Sequence, residues 1–361
     1  MIYIEKGTAS KLPEKYHSIN NICAIIYDQI TEIFAAKNYE ELKYTNFNYD
    51  RENHILVDEF EKKEIHILDW LKENNKNDEI SDFLSKHLTL SISSDFSNFI
   101  YEALSCAQRG KMTVAYALLR KPFTDELLLL EQILNDPKEF IDRFFHSGDP
   151  KDYDPSSRKT DKLQIIQTAV DKLKPKYIFS ADLIYKLRFE KDSLSGLNGL
   201  SNQALHIVTN DKNYKTLDQN LNFVFSNKDD INKYWDYFYH FIPYLIIYSA
   251  SVIDSIIFSF LQDQENQNLK YLKSFQRFIA IIKWTECITD PKDKKEEEFY
   301  YGFQDDIQLK CDKCNEEIKL EKADFELFLE SRMILCPKCF NNVLSSQNSL
   351  NQIKRFLDKV S

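Results

Sequence analysis

Through most of the first 300 or so positions, apolar residues recur three and four apart, the spacing that gathers them on one face of a helix. Leu12–Ala36 carries Ile19, Ile22, Ile26 and Ile30 in this register. Arg51–Asn74 carries Ile55, Phe60, Ile65, Ile67 and Leu71 beneath a strongly charged surface. Asp82–Ala107 and Lys111–Leu134 follow, divided by Gln108-Arg109-Gly110, whose glycine reads as a helix stop. Asp136-Pro137 opens a short helix through Phe145, and Ser147–Thr160 is a polar loop. Helices resume at Lys162–Leu173 and Phe179–Phe189. Within the less regular stretch Asp192–Phe225, Leu221–Phe225 alternates like a short strand. Helices over Lys228–Leu261 and Leu269–Trp284 close the series, and Thr289–Glu298 is a solvated run of charge. The pattern predicts a mainly α protein. It divides into an N-terminal helical region (1–76), a helical bundle (77–288), a charged linker (289–304) and a small C-terminal module (305–361) where the cysteines gather.

The segment 241–261, FIPYLIIYSASVIDSIIFSFL, is long enough to cross a bilayer. It nevertheless holds Asp254, Pro243 and four serines, and no Lys or Arg anchors flank it. It reads as the buried central helix of a bundle with no membrane partner. Asp254 then needs a partner of its own, because an unpaired buried carboxylate is costly.

Composition narrows the choice further. Six glycines stand among 361 residues, where usage of roughly 7% gives about 25. Folds built on tight turns or phosphate-cradling glycine loops are thereby disfavoured. The net charge of −10 argues against a protein that coats nucleic acid, although a local basic patch is compatible with it. The N-terminus has no basic and apolar stretch of the secretory kind, and seven cysteines, an odd number, fit a reducing, cytoplasmic setting.

Four of those cysteines carry the strongest motif. Cys311 and Cys314 form one C-x2-C pair, Cys336 and Cys339 another, with 21 residues between. Two thiolates two residues apart share a tight turn and can face one ion, and a second such turn completes a tetrahedron. The pattern predicts a structural Zn2+, with a rubredoxin-like iron site as the lesser alternative. All four ligands being cysteine, the site is of the closed, non-catalytic kind. The module resembles a zinc ribbon or a treble-clef finger, and the helix expected over Ser346–Val360 leans towards the latter. From Asp305 to Ser361 nine basic residues face ten acidic ones. Electrostatics gives this module no pull towards phosphate, so a protein-docking or purely structural role is expected.

The helical part offers a second, softer constellation. Arg120 and Glu126 flank Pro122 on the leucine-rich helix Tyr116–Glu131. They read either as inward-facing functional charges or as a buried Arg–Glu pair that orders the bundle. Later, His206 follows Ser201 and Asn202 within an apolar neighbourhood, where a lone histidine is usually a satisfied core residue. The aromatic run from Tyr234 to Tyr244 reads as core and helix interface more readily than as a base-stacking platform.

Taken together, an Arg and a Glu on a leucine-rich helix followed by a Ser-x4-His segment resemble uncharacterised bacterial helical proteins of the HEPN (higher eukaryote and prokaryote nucleotide-binding) class, over roughly residues 95–260. The resemblance implies a helical bundle, action on RNA or a nucleotide in a phage-defence or toxin setting, and a possible homodimer. It also implies a metal-independent ribonuclease in which His206 serves as general acid or base and Arg120 stabilises phosphorane-like charge. Glu126 and Asn202 complete that candidate set. The family signature is an arginine four to six residues before the histidine, and here Asn202 stands nearest that place. The alternative is a non-catalytic interaction protein whose bundle and finger both dock protein partners.

Overall fold

The computed structural model describes residues 2–45, 66–157, 159–191, 196–289 and 306–360. The expected charged run Thr289–Glu298, apart from its first residue, and most of Arg51–Asn74 lie outside them. Among the described residues the chain forms fourteen helices and one two-stranded hairpin. In chain order these are α1 His17–Ala35, α2 Ile67–Glu73, α3 Asn77–Gln108, α4 Met112–Lys121, α5 Leu127–Asn135, α6 Pro137–Ile141 and α7 Pro150–Tyr153. Next come α8 Lys162–Lys172, α9 Ala181–Arg188, α10 Leu197–Leu205, α11 Lys228–Phe260 and α12 Gln264–Ile288. The C-terminal part holds β1 Leu309–Lys310, β2 Glu317–Ile318, α13 Lys322–Ser331 and α14 Gln347–Lys359.

Helix α11 is the axis of the molecule. Asn227 caps it, accepting from the Asp229 and Asp230 amides while the Asp230 carboxylate returns a bond to the Asn227 amide. From Trp235 to Phe258 its side chains are buried on nearly every face, as for a helix surrounded by others. It is long and apolar enough to cross a membrane, but 83% of that apolar window is covered by the rest of the chain. Helices α1, α3, α5 and α12 pack against it. The aromatic run expected as core is core: Trp235, Phe238, Tyr239 and Tyr244 are buried, and the Trp235 indole N–H donates to the Ala107 carbonyl at 2.7 Å. Gly110 stops α3 with φ +72°, and a Cβ there would press on the Trp235 ring at 3.4 Å. Buried side chains from Ile2 to Leu357 form one contiguous core.

Two expectations are corrected. Leu221–Phe225 is no strand but a turn, in which Phe223 takes a left-handed φ of +59°. At Pro122 the helix shifts its register. The chain passes through a π turn, Pro122–Glu126, in which the Leu127 amide reaches back to the Pro122 carbonyl. That shift frees the Phe123 carbonyl, which accepts from the Arg188 Nε at 2.6 Å. Arg188 in turn pairs with Glu131 at 2.5 Å, and the Tyr248 hydroxyl donates to the same carboxylate at 2.7 Å. A buried Arg–Glu pair does order the bundle, but Arg188 and Glu131 make it, not Arg120 and Glu126.

The second buried polar cluster answers the question raised by Asp254. Its carboxylate accepts from Arg277 Nε at 3.0 Å and Nη2 at 2.7 Å, and Lys273 Nζ lies 3.6 Å from its other oxygen. Both cations come from α12 and are fully buried. Lys273 also donates to the Gln29 carbonyl at 3.0 Å and sits 3.4 Å from Glu32. Glu32 then takes both guanidinium nitrogens of Arg332, at 2.7 and 2.5 Å, from the end of α13. Asp254, Lys273, Arg277, Glu32 and Arg332 thus link α11, α12, α1 and the C-terminal module in one chain of charge.

Removing one member of such a cluster strands another in a low-dielectric site. Arg277→Met is expected to destabilise the protein by about 3–5 kcal/mol in chemical denaturation. Asp254→Leu combined with Arg277→Met is expected to cost clearly less than Arg277→Met alone. A single-variant loss under about 1 kcal/mol would show the pair to be solvated after all.

Candidate functional site

The four cysteines converge. Their Sγ atoms all lie within 4.8 Å of one another, with Cys311 and Cys339 at 3.6 Å and Cys314 and Cys336 at 3.5 Å. These separations are far beyond a disulfide bond of about 2.05 Å. They match the edge of about 3.8 Å that a thiolate tetrahedron with metal–sulfur bonds of about 2.3 Å requires. Two like turns build the site. The Asn315 amide bonds to the Cys311 carbonyl at 2.8 Å, and the Phe340 amide to the Cys336 carbonyl at 2.9 Å. The Cys311 and Cys336 amides then reach the Glu316 and Asn341 carbonyls at 2.8 and 2.9 Å. The residue after each second cysteine, Asn315 or Phe340, has a left-handed φ of 60° or 56°, which closes the turn. The donor set and its spacing fit a single soft or borderline divalent ion, held by Cys311, Cys314, Cys336 and Cys339.

Helix α14 runs over Gln347–Lys359, close to the expected span, but its first turn carries no cysteine, so both ligand pairs sit on turns. Nor do the two cysteine turns alone hold the module in place. Phe325, Phe328, Ile353, Phe356 and Leu357 are buried, and Phe328 and Phe356 pack tilted and edge-on against Phe275 of α12 with ring centroids 5.0 and 5.9 Å apart. The Gln29 and Gln276 side chains both donate to the Leu329 carbonyl, at 2.7 and 2.8 Å. The module is docked on the body through apolar rings, two amide bonds and the Glu32–Arg332 bridge. For Glu32, burial raises the carboxyl pKa, but hydrogen bonds and charge from Arg332 and Lys273 outweigh it and hold the pKa below its ordinary value.

The candidate residues of the helical body are placed differently from one another. Arg120 is exposed near the end of α4, with Tyr214 as its electrostatic neighbour. Glu126 is buried, salt-bridged to Lys121 at 3.0 Å and hydrogen-bonded to Asp95. Asn202 is spent within its own helix, donating to the Asn198 carbonyl at 2.8 Å and side chain at 2.6 Å. His206, expected inside the apolar core, is exposed at the C-cap of α10, and its carbonyl accepts from Asn222 at 2.7 Å. Helices α4 and α10 pack together, which brings the elements of Arg120, Asn202 and His206 into one neighbourhood. Glu126 belongs to a separate cluster with Asp95 and Lys121.

Around His206 the surface is unexpectedly apolar. Leu205, Ile207, Val208, Leu217, Val224 and Phe225 are all exposed, with Ile207 at 60% and Phe225 at 65%. The Asn222 amide donates to the Ile207 carbonyl at 2.9 Å, which ties the 206–209 and 222–225 segments side by side. The sequence signal for this surface was present as apolar residues without a helical period between Leu205 and Phe225.

Comparison with protein-family models, with curated proteins and with solved structures finds no match for this chain. The likeness of residues 95–260 to HEPN-class proteins therefore rests on its short motifs alone.

Glu126 gives the most direct electrostatic test. Burial, then the hydrogen bond with Asp95, raise its carboxyl from an ordinary 4.5 to about 7, against the pull of Lys121. Asp95 moves the other way, drawn below its ordinary value first by Lys121 and then by Glu126. A raised carboxyl favours folding while protonated, so its contribution is whole below pH 4.5 and is lost as pH rises through 7. Glu126→Gln keeps the neutral form. It is expected to melt higher than the unsubstituted protein above pH 7, with the gap closing below pH 4.5. A gap independent of pH, checked by thermal melts across this range, would contradict the raised carboxyl.

Proposed function

We propose that this is a cytoplasmic, zinc-stabilised helical protein whose work is docking other proteins, and that the four-cysteine module keeps the docking body in shape. The observation that carries this reading is the run of six exposed apolar side chains between Leu205 and Phe225. No Lys, Arg, Asp or Glu interrupts residues 205–209 or 221–226. Exposed apolar side chains gathered on two neighbouring segments mark a protein contact. The assignment of zinc is supported by an all-thiolate set at tetrahedral spacing, which suits Zn2+ first and iron second. The cytoplasmic placement is supported by the same four thiols, which need reducing surroundings to stay available.

A second reading, cleavage of RNA in a defence or toxin setting, is favoured by one observation. Arg120 and His206 are both solvent-accessible and stand on helices that pack together. In that reading His206 moves the proton of a 2′-hydroxyl and Arg120 offsets the developing phosphate charge, with no metal taking part.

One set of measurements separates the two. Elemental analysis of untagged protein is expected to find one zinc per chain. A photo-crosslinking residue at Phe225 is expected to capture one dominant protein chain, either a second copy or a partner, and Ile207→Glu to abolish the crosslink. Light scattering on the purified protein then tells a homodimer from a mixed complex. Absence of a specific crosslink would overturn the docking reading, and RNA cleavage lost in both His206→Ala and Arg120→Ala would replace it with the second.

A further inference from the structure

A cavity of about 140 Å³ lies where the ends of α5 and α8 meet the facing turns of α11 and α12. Its lining is cationic in an otherwise acidic protein. Lys172, Lys174, Lys270 and Arg277 contribute four positive charges against the single carboxylate of Asp254. That carboxylate is already taken by Arg277 and Lys273, and the remaining Arg277 nitrogen donates to Gln29.

The three lysines are not equivalent. Lys172 donates to the Leu134 carbonyl at 3.0 Å and the Asn135 carbonyl at 2.5 Å, capping the C-terminus of α5. Those partners are carbonyls of a helix end, so no carboxylate pairs with its charge. Lys174 pairs with Asp358 of α14 at 2.7 Å, half exposed to solvent. Lys270 has neither kind of partner among the described residues. It is half-buried on α12, and burial together with the nearby Lys174 charge lowers its ammonium pKa. The Ser255 and Ser274 hydroxyls line the same cavity and form no side-chain hydrogen bond among the described residues. Like charges brought together beside idle hydroxyl donors are unfavourable without an anion between them.

We propose that this cavity is a binding site for a small oxyanion, specifically a phosphoryl group, held by Lys270 with Ser255 and Ser274 and flanked by Lys172 and Lys174. Ammonium groups and hydroxyls supply charge-assisted donors for a tetrahedral anion. At about 140 Å³ the cavity has room for one phosphoryl group. Free phosphate would be enclosed, and a phosphomonoester would enter phosphate first with its ester group outward. The site lies apart from the 205–225 surface and its proposal stands independently of the docking reading.

The test uses the full chain at low ionic strength, with inorganic phosphate in one arm, adenosine monophosphate in a second and chloride at matched ionic strength as control. Calorimetry and thermal melts read both arms. Phosphate is expected to bind saturably and raise the melting temperature beyond the chloride control. Lys270→Gln is expected to raise the melting temperature of the ligand-free protein, by relieving repulsion, while weakening phosphate binding by about tenfold or more. Lys270→Arg is expected to retain binding, and Ser274→Ala to weaken it while leaving the fold intact by circular dichroism. Monophosphate binding as tight as phosphate identifies a phosphomonoester ligand, and phosphate binding alone identifies the free ion. No saturable binding in either arm at millimolar concentration, or binding unchanged in Lys270→Gln, would overturn the site.

Discussion

A single carboxylate in the middle of an apolar helix sets the terms for the rest of the molecule. Asp254 lies on the long central helix α11, in a buried stretch where an uncompensated charge costs several kcal/mol. Its neutralisation draws Lys273 and Arg277 into the core, and each of these creates a need of its own. Arg277 turns to Gln29, and Lys273 turns to the Gln29 carbonyl and to Glu32. Glu32, now committed, captures Arg332 some 300 residues away in the chain. Every step satisfies one buried group and recruits the next, and the sequence of steps ends inside the metal module. Such a cluster contributes little net stability compared with apolar packing, but it tolerates only one arrangement of the helices that carry it.

The metal module is therefore tied down twice. Thiolates at tetrahedral spacing fix its two turns, and Phe328, Phe356 and Arg332 fix its position on α12 and α1. A finger fastened so closely has its inner face covered, which leaves recognition to the body. There the features divide between two surfaces. The neighbourhood of α4 and α10 holds Arg120, His206 and an exposed apolar run, while the opposite ends of α11 and α12 hold a cationic cavity beside α14. The Lys174–Asp358 pair joins that cavity to the metal module, so an anion drawing on Lys174 would compete with a contact that helps seat α14.

Short-range regularity made much of this legible from residues alone. The isoleucines of α1, the glycine stop at Gly110 and the C-x2-C spacing each act within a few residues, and each appears in the structure where the pattern places it. The need of Asp254 for a partner was equally legible, but not which partner, because Lys273 and Arg277 lie on a helix whose charged residues read as surface. Pairings such as Glu32 with Arg332 span most of the chain and leave no local trace. His206 was misplaced because apolar neighbours at Leu205, Ile207 and Val208 imply a core, whereas all three face outward. Leu221–Phe225 alternates as a strand does, but no second strand lies beside it to complete a ladder, and a turn resulted. Arg120 and Glu126 were drawn together by sequence proximity around Pro122, and the π turn separates their environments.

Buried charge makes the helical body and the four-cysteine module one cooperative unit. Native-state hydrogen exchange tests it most directly, by comparing amides in the middle of α11 with those of α13 and α14 on metal-loaded protein. All three are expected to exchange through the same global opening, with one free energy and one denaturant dependence. Amides of α13 and α14 exchanging through a smaller opening of their own, while α11 stays protected, would show a finger resting on a body that does not need it.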